Sequence, residues 1–236
     1  MSNRKQLIFA DAALDNQISQ IKQLIKQSMC GVTVDSMKHY GINYKQNLGV
    51  SIIRLREIAA TFTQNRDLAI RLWQLDLREA KILATLLFPV ENLDQETACA
   101  WASGCDNQEL KEQIIMNLFR KSEKAAELCH QWLDSENIHV SLIAWMLAGR
   151  VFAHIQTNTI DKILTKTAIE NLHKNPLYTT AIATSLAFLC RINSETAEKI
   201  YQTVNDAAFL KCPEGIYIAD SVRNELIFSG YLSENS

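Results

Sequence analysis

Trp73-Gln74-Leu75-Asp76, Trp101-Ala102-Ser103-Gly104-Cys105-Asp106 and Trp132-Leu133-Asp134 read as three versions of one passage. Each is followed by a charged and then strongly apolar run, Leu77–Phe88, Gln108–Phe119 and Val140–Phe152. A unit of about 30 residues therefore recurs, in the range expected of stacked helix pairs. A helix pair cannot bury its apolar stripe alone; stacking further pairs on it makes one continuous core and leaves an extended surface for a large ligand. The repeat predicts an all-α fold, an α-solenoid of antiparallel helix pairs, with function along the inner helices. The recurrence of Trp73, Trp101 and Trp132 just before each turn marks them as packing residues.

The rest of the chain fits that reading. Repeat proteins lengthen by adding units, so 236 residues are read as a single domain over 1–236. Hydrophobic residues make up 47% and charged residues 21%, enough for a core, and only 7 Gly and 3 Pro interrupt the helical stretches. The apolar stretch before Asp11 is too short for a secretory segment. The longest uncharged run, the 16 residues between Lys174 and Arg191, is too short and polar to span a membrane. Six cysteines, scattered without a CxxC pair, are expected to be reduced thiols of a cytoplasmic protein. With five dispersed histidines, they suggest neither a metal site nor a cofactor.

Charge is uneven. The net value is −2, yet Lys38 to Lys81 holds eight basic residues against four acidic ones, while the C-terminal half is acidic. Such asymmetry gives either a positive cleft able to hold phosphates or an ordinary solvated face.

Helix periodicity and caps place the elements. Leu14, Ile18, Ile21, Leu24 and Ile25 recur on one face and give a first helix over Asp11–Ser28, which Gly31 is expected to end. Gly41–Val50, with two glycines and two asparagines, is the one long non-periodic segment and reads as a loop. Ser51 caps the next helix, and Asn65 or Asp67 the one that ends at Trp73. Arg78, Lys81 and Thr85 share a face of the following helix, which Pro89 stops. In the run from Asn107 to Phe119, Leu110, Ile114, Ile115 and Leu118 form the buried stripe. Later helices are expected at Ile160–Leu172, Pro176–Leu189, Ser194–Val204 and Pro213–Phe228. There is no Gly-rich phosphate loop, no G-x-S-x-G elbow and no H-E-x-x-H.

The segment Tyr44-Lys45-Gln46-Asn47-Leu48-Gly49-Val50-Ser51, then Leu55-Arg56-Glu57-Ile58-Ala59, Leu72-Trp73 and Arg78-Glu79-Ala80-Lys81-Ile82-Leu83-Ala84, resembles the DNA alkylation repair family of HEAT-like α-solenoids. The resemblance covers most of the chain and is best between about residues 30 and 120. It implies a HEAT-like fold whose basic side holds duplex DNA, alkylated in the catalytic members. Those members excise cationic N-alkylated purines, using a carboxylate to stabilise the oxocarbenium-like sugar. The chemistry is reasonable because such a base already leaves readily; what the site must add is a fixed negative charge near the sugar.

Where catalytic members carry Trp-Asp-x-x-Asp, this chain reads Gln108-Glu109-Leu110-Lys111-Glu112, so Glu112 takes the second aspartate's place beside Glu109, and the aromatic is lost. Where they carry an arginine after a tryptophan, it reads Ile138-His139-Val140-Ser141; Trp145 or Arg150 would compensate only in a rotated or shifted helix. Glu112 and Glu109 are thus the candidate catalytic residues. The alternative for the same carboxylates is a ladder of ion pairs with Arg78 and Lys81 one repeat earlier. Candidate DNA contacts are Lys38, Tyr44, Lys45, Asn47, Arg54, Arg56, Arg78 and Lys81, and the alternative for the loop is an N-terminal cap that buries Tyr44. Three functions follow: an alkylpurine DNA glycosylase, a non-catalytic binder of DNA structures, and a scaffold for a protein or peptide partner.

Overall fold

The computed structural model describes residues 11–167 and 176–233. Among them are thirteen α-helices and no strand: α1 (Ala12–Gln27), α2 (Gly31–His39), α3 (Ile52–Ala60), α4 (Arg66–Trp73), α5 (Arg78–Leu87), α6 (Gln95–Ser103), α7 (Gln108–Asn117), α8 (Ala125–Trp132), α9 (Ile138–Ala148), α10 (Thr157–Lys166), α11 (Pro176–Leu189), α12 (Ser194–Val204) and α13 (Pro213–Phe228). No described helix is long and apolar enough to cross a membrane.

The helices gather into two compact units. The first comprises α1 to α5 and α7. Here α5 packs against α3, α4 and α7, and α1 lies on α3 and α4. Leu55, Ile58, Leu68, Leu72, Ile82, Leu83, Ile114 and Ile115 fill this core. Burying each such side chain contributes about 1.5–3 kcal/mol. A polar link runs through it from α7 to α5: the amide of Asn117 donates to the Thr85 hydroxyl at 2.9 Å, which itself donates to the Ile82 carbonyl. Both groups are satisfied, so the link fixes the register of α7 on α5 without an unpaired buried donor.

The second unit comprises α6 and α8 to α13. In it α9, α11 and α13 pack in sequence, while α6 and α8 lie on α9, and α12 on α13. Trp101 and Trp132 are buried as packing residues, Trp132 edge-on to Phe119 at 5.2 Å. The thiols of Cys129 and Cys190 are enclosed here, and burial pushes each up to about 12, which makes them inert core groups.

Local chemistry explains the boundaries. Asparagine side chains cap four of the helices: Asn65, Asn107, Asn137 and Asn193 each accept from an amide two or three residues ahead. Asn65, rather than Asp67, is therefore the cap of α4. Ser51 caps α3 through the Arg54 amide, and Asp11 caps α1. The expectation that Gly31 ends α1 is corrected. α1 stops at Gln27 with Ser28 as its C-cap, and Gly31 is the first residue of α2, so this glycine does not take a left-handed turn. The Ile160–Leu172 helix is seen as α10; residues 168–172 lie outside those described, as do residues 1–10 with the short apolar stretch of the N-terminus.

Candidate nucleic-acid interface

The loop from Gly41 to Val50 folds back over α2 and is tied to α5 and α7. Arg78, the first residue of α5, is 3% exposed. Its backbone amide donates to the Gln46 carbonyl at 3.0 Å. Its guanidinium donates to the Val50 carbonyl at 2.8 Å, to Glu79 Oε1 at 3.0 Å, and as a fork to both oxygens of Glu109 at 2.8 and 2.6 Å. Glu79 is fully enclosed and accepts from the Leu48 and Val50 amides, all at 3.2 Å. The Tyr44 hydroxyl donates to Glu109 Oε2 at 2.8 Å. Burial would by itself lower the guanidinium's pKa, but hydrogen bonds and charge attraction to Glu109, with Glu79 behind them, raise it. Burial and the Glu109 charge together hold the Tyr44 phenol far above its ordinary range, so it remains the donor.

Gly49 completes the loop. Its φ is +71°, and a Cβ there would overlap the Cys30 carbonyl oxygen, whose own residue donates its amide to Leu48 at 2.8 Å. Substituting Gly49→Ala is expected to cost about 2–3 kcal/mol, a left-handed backbone penalty with a main-chain overlap on top. Chemical denaturation of the variant beside the wild type checks this.

The Arg78–Glu109 pair is the first rung of the ladder expected between repeats. The second rung is not formed. Glu112 is exposed and accepts from the Gln108 amide at 3.0 Å, while the Lys81 ammonium lies over the Trp73 ring, 5.7 Å from its centroid. Between the two carboxylates, Lys111 is buried, and desolvation lowers its pKa.

Four of the eight expected DNA contacts meet in one place. Lys38, Tyr44, Lys45 and Asn47 line a cleft of about 710 Å³ together with Lys22 and Lys26 of α1. Among the described residues that line it, Asp76 is the acidic one, and it forms an ion pair with Lys45. Lys45 also holds the Asp76 carboxyl below the usual range. Asn47 shapes the loop, accepting from the Gly49 amide and donating to the Met37 sulfur. The other candidates lie elsewhere. Arg54 donates to Ser28 and Glu57, and Arg56 is exposed on the same helix. Arg78 must be withdrawn as a phosphate contact, because it is buried and its donors are committed to carboxylates and a carbonyl. Glu109 is likewise no bare anion.

In the second unit, Trp145 of α9 is 3% exposed and lines a cleft with Ile138 and Ser141, while Arg150 is exposed with its guanidinium 5.9 Å from the Phe188 ring. Among the described residues, no three His, Cys, Asp or Glu groups converge as metal ligands.

The sequence model for DNA alkylation repair enzymes matches residues 22–199. The chain belongs to that family. The matched stretch of this DNA alkylation repair family member begins at Lys22, so it includes all four lysines of the cleft, the folded-back loop and the whole of α7. Its fold is also that of a solved protein from a family related to the HEAT-like repeat DNA glycosylases and described as having affinity for branched DNA structures. The two superpose with a TM-score of 0.72 at 15% identity, over 89% of this chain and 94% of the other. No curated protein matches the chain.

The cleft was only half visible in the sequence. Lys22 and Lys26 look like the solvated face of an amphipathic helix, and the one signal that singles them out is their spacing of four, which puts both on the same side of α1.

Proposed function

We propose that the chain binds DNA, including branched forms, through the lysine cleft of its first unit, and does not excise alkylated bases. The observation that carries this reading is the state of α7. Glu109 is neutralised by a two-pronged bond from Arg78 and a third hydrogen bond from Tyr44, which leaves Glu112 as the carboxylate on offer. Glu112 is exposed. A carboxylate 4 Å from a unit positive charge is worth about 1 kcal/mol in bulk water and several times more only where water is excluded. Enzymes lower barriers by about 8 kcal/mol or more. Glu112 also lacks the tryptophan and arginine that the family resemblance places beside the catalytic carboxylate. The basic cleft and the branched-DNA affinity of the structural neighbour both support retention of DNA binding.

A second reading, excision with Glu112 as the stabilising charge, is favoured by one feature: Glu112 is exposed and accepts from the neutral Gln108 side-chain amide, so its charge is available. Release of 7-methylguanine and 3-methyladenine from methylated duplex DNA separates the two. The expected result is no release above background by either the wild type or Glu112→Gln. Release by the wild type that Glu112→Gln abolishes would establish the glycosylase instead.

A further inference from the structure

We infer that the cleft between α1, α2 and the 41–50 loop holds an unpaired nucleotide of a DNA strand, with its phosphates on the lysines and its base against the apolar part of the lining. The inference rests on the DNA-binding reading above and names what the cleft selects. Its lining combines cationic and apolar side chains. Lys22 and Lys26 lie one turn apart on α1, about 6 Å along its axis, and both are exposed, so the pair can follow consecutive phosphates of a single strand. Lys38 and Lys45 add positive charge from α2 and the loop. Val34, Leu48, Leu75, Leu77 and Tyr44 add apolar surface to the same lining. A basic groove beside an aromatic surface is the arrangement that binds single-stranded nucleic acid, because every base offers a face to stack.

Size and rigidity point the same way. About 710 Å³ is within the range of pockets for small ligands, and it takes one or two nucleotides rather than the cross-section of a duplex. The Tyr44 ring is pre-positioned because its hydroxyl is tied to Glu109, which Arg78 in turn fixes. A base meeting it finds a surface that is already ordered. Asp76 offsets part of the Lys45 charge, so it competes with a bound phosphate for that ammonium. Unpaired nucleotides occur where duplex arms fork or end in a tail, so a cleft of this kind favours branched DNA over a blunt duplex.

The test is fluorescence anisotropy of the full chain with a blunt duplex of about 20 base pairs and with the same duplex carrying a single-stranded thymidine tail. Base stacking predicts that the tailed DNA binds about tenfold more tightly or better. The double variant Lys22→Ala, Lys26→Ala should remove that preference and flatten the dependence of log affinity on log salt by about 0.7 per lysine. Asp76→Asn should act in the opposite direction, binding the tailed DNA several-fold more tightly. Both sites are exposed, so folding is preserved, and circular dichroism confirms it. Equal losses on blunt and tailed DNA, or variants indistinguishable from the wild type, overturn the inference while DNA binding stands. A wild type that binds neither DNA overturns both.

Discussion

Replacing Arg78 by methionine lowers the free energy of unfolding by about 3–5 kcal/mol, the cost of leaving a buried charge without its partner. The size follows from the position of the guanidinium. It faces two carboxylates, Glu79 and Glu109, and a carbonyl, and Glu79 has no solvent to turn to. Methionine fills much the same volume, so the loss is electrostatic and not a cavity. Arg78→Lys should lose less but still well above 1 kcal/mol, because an ammonium keeps the charge and cannot reproduce the fork across both Glu109 oxygens. Urea denaturation followed by circular dichroism measures all three proteins. Equal midpoints would mean that the network is not what holds the loop to α5. The same loss should weaken DNA binding, since Tyr44, Lys45 and Asn47 reach the cleft from that loop. Structure and function are linked here through one arginine that touches no ligand.

Much of the architecture was legible beforehand, because its signals are local. The tryptophan passages marked the repeat, asparagines and Ser51 marked helix starts, and α12 and α13 have the boundaries that period and caps predict. The Arg78–Glu109 rung was legible too, since repeat spacing places residues 31 apart on neighbouring helices. Much of what failed depended on contacts between distant segments. Glu79 reads as one more surface charge in a helix; only the folded-back loop, with its amides at Leu48 and Val50, turns it into a buried acceptor. Arg78 reads as a phosphate contact for the same reason. Lys81 and Glu112 have the spacing of a second rung, but the Trp73 ring and the Gln108 amide engage them instead. Gly31 reads as a stop because glycine commonly ends helices, whereas it lies just after the Cys30 N-cap of the next one. For Lys22 and Lys26 the sequence shows a shared side of α1 through their spacing of four, but not that this side faces the loop.

The central claim is that this chain holds DNA through the lysines of its first unit. The most direct test is the affinity of the wild type for a forked duplex between 50 and 200 mM salt. Each phosphate of an unpaired strand that is neutralised releases counterions, so log affinity falls against log salt with a slope of about −0.7 per contact. The four lysines lining the cleft set a slope of up to about −2.8, and affinity should drop by up to about 50-fold over that fourfold change in salt. A slope near zero, or no binding at 50 mM salt, would contradict the claim and bring forward a protein or peptide as the ligand of this fold.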